Sequence, residues 1–357
     1  MDSGKHMSLR EMVGQLFIVR PESLEPAISY RSDAELPPWR LQAVSDGMRS
    51  RAAEFPVGGI LLYGHNIADP SQLSAFIRDL KTLPGSPWLC VDEEGGRVSR
   101  IARNPAFDVP RFESAAALAA SGDAQTVHDA AFAIGSYLRC FGFDVDFAPV
   151  ADVNTNPRNI IIGDRAFSDD PHVAAPLVAA CVRGLADAGI LGCLKHFPGH
   201  GDTLADTHLG YAFTRKRRAE IDACELVPFR AGIAAGAPLV MTAHIAAPAV
   251  SGSDTPASLS PELTRWLREG LGFDGLIITD ALEMGAVTQQ FGSGEAAVRA
   301  LEAGADLLLC PLNLAEAFGA VLDAVQTGRI PRERLEASVR RILALKHPAR
   351  QAGKTRI

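Results

Sequence analysis

The chain has 357 residues, of which 47% are hydrophobic and 22% charged, and its formal net charge is −7. This composition is ordinary for a globular protein and allows a large buried core. No apolar run approaches the roughly 18 residues that a membrane-spanning helix needs. The acidic balance and the lack of a basic stripe argue against nucleic acid as a partner.

Short apolar runs alternate with longer amphipathic segments along nearly the whole sequence. Eight runs have the length and content of buried strands and cover residues 13–19, 58–63, 88–92, 143–151, 190–196, 239–245, 275–280 and 306–311. Helical spacing is found between them, near 71–80, 127–141, 174–188, 220–235, 261–269, 294–303, 315–325 and 331–345. Apolar strands that alternate with helices predict a parallel sheet, and eight such units favour a single (β/α)8 TIM-like barrel.

The ends of the chain are predicted to lie outside the barrel. Residues 1–6 have the character of an expression-tag remnant before Met7, residues 7–350 form a single TIM-barrel catalytic domain, and residues 351–357 form a tail. The six cysteines are scattered and lack paired spacing, which indicates buried small side chains in a reducing compartment. We therefore predict a cytoplasmic location, with a signal peptide removed from the native protein as the open alternative.

Ionisable residues fall at the ends of five predicted strands. They are Asp92, Asp152, the pair Lys195 and His196, His244, and Asp280. The carboxyl ends of all strands meet on one face of a parallel barrel, where barrel enzymes keep their active sites. A single aspartate after a strand is often only a helix N-cap, and that alternative stays open for Asp280.

The densest set of such residues follows the fifth predicted strand, between Lys195 and His208. Asp206 and His208 are two positions apart, so in an extended segment their side chains point the same way. The carboxylate of Asp206 could then orient the imidazole of His208 and raise its pKa, as a proton donor requires. His196, His200 and His208 could instead bind a metal, although their spacing matches no common zinc pattern.

Four motifs resemble glycoside hydrolase family 3, in its β-N-acetylglucosaminidase branch. They occur in the family's order and are Asp92-Glu93-Glu94-Gly95-Gly96-Arg97-Val98-Ser99-Arg100, Gly163-Asp164-Arg165-Ala166-Phe167, Lys195-His196-Phe197-Pro198-Gly199-His200-Gly201 with Asp206-Thr207-His208, and Phe273-Asp274-Gly275-Leu276-Ile277-Ile278-Thr279-Asp280-Ala281-Leu282. The run that begins at Lys195 is the most specific of them. The segment Tyr63-Gly64-His65-Asn66 is an unusual version of its region, so the sugar and aglycone preference stays open.

The resemblance implies a TIM barrel and a retaining mechanism in two steps. Asp280 matches the nucleophile that forms a covalent glycosyl-enzyme, and His208 matches the acid/base, with Asp206 as its partner. The residues that match those holding the hydroxyls of the terminal sugar are Asp92, Arg100, Arg165, Lys195 and His196. The implied reaction releases terminal β-linked N-acetylglucosamine from peptidoglycan fragments or chitooligosaccharides, and it demands no cofactor or metal.

Three alternatives remain open from the sequence. A neutral imidazole donor tolerates an anionic acceptor better than a carboxylate does, so a β-N-acetylglucosaminide phosphorylase is one alternative. A metal-dependent TIM-barrel hydrolase is another, which a chelator would inactivate. A non-catalytic sugar-binding barrel is the third, but it leaves Asp206, His208 and Asp280 unexplained. The sequence does not indicate an oligomeric state.

Overall fold

Eight parallel strands form the centre of the fold in the computed structural model, which describes residues 7–28, 40–203 and 212–347. The strands are β1 (Phe17–Val19), β2 (Gly59–Leu61), β3 (Trp88–Val91), β4 (Val145–Asp146), β5 (Leu191–Phe197), β6 (Leu239–Thr242), β7 (Leu276–Thr279) and β8 (Leu308–Leu309). Neighbours in this order are paired, β8 also pairs with β1, and a parallel bridge between Ile278 and Leu307 joins β7 to β8. The predicted (β/α)8 TIM-like barrel is confirmed.

Helices surround the barrel. They are α1 (Leu9–Gln15), α2 (Asp46–Glu54), α3 (Pro70–Leu80), α4 (Ala115–Ala119), α5 (Ala124–Phe141), α6 (Pro171–Asp187), α7 (Arg218–Ala223), α8 (Leu226–Ala234), α9 (Pro248–Ser251), α10 (Pro261–Arg265), α11 (Gly285–Thr288), α12 (Ser293–Ala303), α13 (Leu314–Gln326) and α14 (Arg332–Lys346). The predicted periodicity over 127–141 lies within α5, which begins after the N-cap Asp123 and ends at the left-handed Gly142.

Several predicted strands are longer than the observed ones, among them those at 13–19, 143–151, 239–245 and 306–311. Residues 13–15 belong to α1, because Ser8 and Glu11 form a reciprocal capping box that starts a helix there. The predicted strand 143–151 is regular only at Val145–Asp146, although the amide of Ala151 still donates to the carbonyl oxygen of Lys195 at 2.7 Å. The outer part of this strand therefore remains next to β5 without a regular ladder.

The structure tests the predicted burial of the cysteines. All six cysteines are free thiols; three are buried, but Cys140 is exposed, so the expectation of uniform burial was wrong. Within the described ranges, the structure has no helix of the length and apolar character needed to cross a membrane. The domain boundary predicted at residue 7 adjoins undescribed residues, and the one predicted at residue 350 lies outside the described residues, so both stay predictions.

Candidate active site

A cavity of about 500 Å³ opens at the carboxyl ends of the strands. Its size falls within the range of small-molecule sites. Six of the eight candidate site residues line it, and these are Asp92, Arg100, Arg165, Lys195, His196 and Asp280. The other two, Asp206 and His208, lie in the segment 204–211, outside the described residues. Their roles therefore stay predictions.

Lys195 is the centre of a charged cluster on one side of the cavity. Its Nζ lies 2.7 Å from Asp92 Oδ1 and 2.6 Å from Glu94 Oε1, and its side chain is only 3% exposed. Burial alone would lower the pKa of Lys195, but the carboxylates of Asp92 and Glu94 raise it well above its usual range. The lysine is therefore a permanent cation that can donate hydrogen bonds to a neutral ligand.

Arg165 reaches the same cluster from the long loop after β4. Its Nε and Nη2 each lie 2.8 Å from one oxygen of Glu94, which is a bidentate pair, and its Nη1 donates to the carbonyl oxygen of Ile161. Burial opposes the charge of Glu94, yet Lys195 and Arg165 hold its pKa well below the usual range. Glu94 thus fixes two cations side by side.

Arg100 is positioned through a buried carboxylate on its own loop. Glu93 is fully buried, and its carboxylate accepts hydrogen bonds from the amide of Arg100 at 2.5 Å and from the hydroxyl of Tyr137 at 2.8 Å. Three further donors to Glu93 are the Ser99 hydroxyl and the amides of Ile101 and Ala102. Arg100 Nη2 lies 4.0 Å from Asp92 Oδ2, and its buried Nε has no hydrogen-bond partner among the described residues.

His196 is oriented by Asp152 behind it. Its Nδ1 lies 2.7 Å from Asp152 Oδ2, and Asp152 also accepts from the amide of His200 at 2.6 Å. Burial would raise the pKa of Asp152, but His196 and the His200 amide bring it below its usual value. Asp152, predicted at the cavity rim, therefore lies in a layer behind His196.

Asp280 is half-buried at the end of β7. Its amide donates to the carbonyl oxygen of Thr242 at 2.9 Å, and its Oδ1 accepts from the amide of Ala281 at 2.8 Å. The next helix, α11, has Met284 as its N-cap, so the helix-cap alternative for Asp280 is wrong. Asp280 faces the cavity instead.

His244 does not reach the cavity, contrary to the expectation from its place after β6. It is 1% exposed, with Nδ1 at 2.7 Å from the Ser258 hydroxyl and Nε2 at 2.8 Å from the carbonyl oxygen of Ala281. It supports the backbone next to Asp280. A strand-end position alone could not reveal this, because successive side chains point to opposite faces of a strand and β6 ends at Thr242, two residues before His244.

The metal alternative was built on three histidines. Where the chain is described, no three histidine, cysteine, aspartate or glutamate side chains converge as metal ligands. His196 and His200 place Nδ1 against Asp152 and the Thr203 hydroxyl, at 2.7 Å in each case. The third histidine, His208, lies outside the described residues.

Comparison with known proteins covers nearly the whole chain. A sequence model described as the N-terminal domain of glycosyl hydrolase family 3 matches residues 8–345. The chain belongs to glycosyl hydrolase family 3. The family resemblance read from the motifs is thereby confirmed.

Two curated relatives and two solved structures illustrate the family. β-Hexosaminidase A of Pseudoalteromonas piscicida is 34% identical over 322 residues, and β-hexosaminidase of Stenotrophomonas maltophilia is 42% identical over 264 residues. These alignments cover 82% and 71% of this chain. A family 3 β-N-acetylglucosaminidase from a Paenibacillus species superposes with a TM-score of 0.87 at 37% identity, covering 99% of this chain. Mycobacterium tuberculosis LpqI superposes with a TM-score of 0.81 at 31% identity, covering 95% of this chain.

Coverage of the relatives differs. This family 3 chain spans 54% of the Pseudoalteromonas enzyme and 64% of the Paenibacillus structure. It spans 76% of the Stenotrophomonas enzyme and 94% of LpqI. The activity of the whole protein is therefore a proposal.

The family 3 site also contains residues that the sequence analysis did not assign. Glu94 belongs to one of the four motifs but has no role assigned from the sequence. A buried lysine at a strand end requires carboxylate partners, and that requirement could have pointed to Glu94. Arg20 and Glu283 form an ion pair at the cavity wall. Arg20 directly follows β1, and Glu283 lies in the segment after β7. No spacing in the sequence relates these two residues.

Proposed function

We propose that this chain is a retaining glycoside hydrolase that releases terminal, non-reducing β-linked N-acetylglucosamine. The observation that carries the proposal is that Asp280 lines the same cavity as Lys195, Arg165 and Asp92. A glycosidase needs a carboxylate next to the anomeric carbon and groups that bind the sugar hydroxyls. The relatives described as β-hexosaminidase or β-N-acetylglucosaminidase support the choice of sugar.

The first chemical step forms a bond between Asp280 and the anomeric carbon. As the bond from this carbon to the leaving oxygen breaks, His208 gives that oxygen a proton, with Asp206 holding the imidazole. In the second step His208 takes a proton from water, the water oxygen attacks the anomeric carbon, and the Asp280 carboxylate leaves. The two inversions return the product in the β configuration.

The charged residues of the cavity serve the sugar hydroxyls. Lys195 and Arg165 remain cationic and donate, Asp92 accepts, and Arg100 and His196 complete the set of binding residues. Their own partners hold each side chain before the substrate arrives. This preorganisation lowers the entropy lost on binding.

The source of the sugar and the location of the protein are part of the proposal. Peptidoglycan fragments and chitooligosaccharides both end in this residue, and the scattered free thiols favour a reducing cytoplasmic compartment.

A panel of aryl β-glycosides tests the function, with the product anomer followed by NMR. We expect turnover of the N-acetylglucosaminide, initial release of the β anomer, and no acceleration by phosphate. Phosphate-dependent formation of a sugar 1-phosphate would favour the phosphorylase, and absence of turnover on every glycoside would contradict the proposal. A chelator is expected to leave the rate unchanged.

A further inference from the structure

Tyr63, two residues after the end of β2, is a cavity residue that the mechanism above does not use. The guanidinium carbon of Arg20 lies 4.3 Å from the centre of its ring, and the His65 ring stacks 5.9 Å away at an interplanar angle of 9°. Arg20 is itself paired with Glu283, and His65 Nε2 lies 2.9 Å from Glu22 Oε1. Because both neighbours are anchored, the ring of Tyr63 is held in one orientation.

The hydroxyl of Tyr63 has hydrogen-bonding capacity to spare. Among the residues that the structure describes, no group forms a hydrogen bond with this hydroxyl. The backbone of Tyr63 is bonded instead: its amide donates to Asn66 Oδ1 and its carbonyl oxygen accepts from the Asn66 amide, each at 2.9 Å. Burial and then the neighbouring Cys310 raise the pKa of Tyr63 well above its usual value. The phenol therefore stays protonated, as both donor and acceptor.

The order of the strands relates Tyr63 to one part of the sugar. In the proposed complex the anomeric carbon lies at Asp280 on β7, and the secondary hydroxyls lie at Lys195 on β5 and Asp92 on β3. The substituents of a pyranose follow one another in a fixed order around the ring. Around the sugar ring, the carbon that follows those with the secondary hydroxyls is C5, which carries the hydroxymethyl group. Around the barrel, the strand that follows β5 and β3 in the same direction is β2, and Tyr63 lies after it.

The opposite orientation would place the acetamido group at Tyr63. Met241, from β6 between Asp280 and Lys195, lines the cavity there and offers an apolar contact. An acetamido methyl group suits this methionine, whereas the hydroxymethyl group suits a phenol without a partner. The structure therefore favours the first orientation.

We propose that the Tyr63 hydroxyl forms a hydrogen bond with the C6 hydroxyl of the terminal sugar and so selects substrates in which that hydroxyl is present and free. This inference rests on the proposed function, since the orientation of the sugar follows from the roles of Asp280 and Lys195. It adds a specificity-determining residue to the site.

The test is a coupling measurement between Tyr63 and the sugar hydroxyl. The value of kcat/KM is measured for 4-nitrophenyl β-N-acetylglucosaminide and its 6-deoxy analogue, with the wild-type protein and with Tyr63→Phe. We expect the wild-type protein to prefer the 6-hydroxy substrate by about tenfold, which is the scale of one neutral hydrogen bond. In Tyr63→Phe the preference should fall to within about twofold, because phenylalanine keeps the ring but not the hydroxyl.

Tyr137→Phe is the matched control, because it removes a phenol that bonds Glu93 outside the cavity. It is expected to change both substrates by the same factor and so to keep the tenfold preference. An undiminished preference in Tyr63→Phe would overturn the inference. A second result would also overturn it. In that case Tyr63→Phe lowers kcat/KM equally for the 6-hydroxy and 6-deoxy substrates but leaves kcat/KM unchanged for the 4-nitrophenyl β-glucoside, which has a hydroxyl at C2. The Tyr63 hydroxyl would then contact the group at C2.

The two proposals can fail separately. A wild-type protein that cleaves the N-acetylglucosaminide without coupling between Tyr63 and C6 removes only the inference. A wild-type protein that cleaves no aryl glycoside removes the function and this inference with it.

Discussion

Two clusters of buried charge lie at opposite ends of the barrel and differ in what surrounds them. At the amino end of β8, Asp306 is fully buried and contacts Arg268, Arg334 and Arg341. The Ser338 hydroxyl also donates to it at 2.6 Å. At the carboxyl end, Asp92 and Arg100 remain 17% and 28% exposed and face the cavity.

The two clusters differ in how many hydrogen-bond donors and acceptors remain available to a ligand, rather than in charge. Both oxygens of Asp306 are occupied by the protein, with Oδ2 accepting from the Ile277 amide at 3.1 Å as well as from Arg268. At the other end, the side chains of the cluster are held in place but still open to a ligand. Buried charge therefore indicates function only where a cavity leaves donors and acceptors available.

The largest effect is expected from removal of the nucleophile. Asp280→Ala should lower kcat on an aryl N-acetylglucosaminide by about 10⁴-fold or more, because it removes the carboxylate that forms the covalent intermediate. Asp274→Ala, at an exposed aspartate before β7, is the matched control and should keep full activity. Circular dichroism checks that both variants fold, and retained turnover in folded Asp280→Ala would exclude the assigned role.

A substitution in the Asp306 cluster at the amino end should lower stability and leave kcat unchanged. Asp306→Asn leaves three arginines without a carboxylate and is expected to lower the free energy of unfolding by about 3–5 kcal/mol. The kcat of the protein that remains folded should not change. Urea denaturation and a rate measured at low temperature check this, and a large fall in kcat with unchanged stability would erase the contrast between the clusters.

An intermediate effect is expected from Glu94→Gln. The change leaves Arg165 and Lys195 with a weaker partner, so kcat/KM should fall by about 10- to 100-fold, mainly through KM. Glu302→Gln, which removes an exposed carboxylate paired with Arg329, is the control and should have no effect on kcat/KM. An equal kcat/KM in the two variants would show that Glu94 does not position Arg165 and Lys195.

The smallest effect concerns acid stability. Because the pKa of Glu94 is lowered in the folded state from 4.5, its ionised form contributes stability that is complete above that pH and lost as the pH falls below it. The pKa of His200 is lowered from 6.5 by burial and by His196, so this residue adds a loss of folding stability that begins at a higher pH, below about 6.5. Urea denaturation between pH 7 and 3 should show a shallower decline for Glu94→Gln below about pH 4.5, and parallel curves would contradict this account.

The sequence predicted the parts of the molecule that depend on periodicity and motif spacing. The eight strands and the meeting of Asp92, Lys195 and Asp280 at one face follow from strand order, whereas Arg165 was assigned through the resemblance of its motif. The extent of β1 was wrong because a local capping box extended a helix into it. The layers of the site were beyond the sequence, since only packing shows that Asp152 and His244 lie behind the cavity while Tyr63 lines it.

The central claim is that Asp280 attacks the anomeric carbon of a bound N-acetylglucosamine. Incubation with a 5-fluoro N-acetylglucosaminyl fluoride, followed by proteolysis and mass spectrometry of the intact adduct, tests it directly. The account predicts one added sugar, located on the peptide that contains Asp280. A sugar attached to any other residue, or continued turnover of this reagent with no adduct on Asp280 at any time, would contradict it.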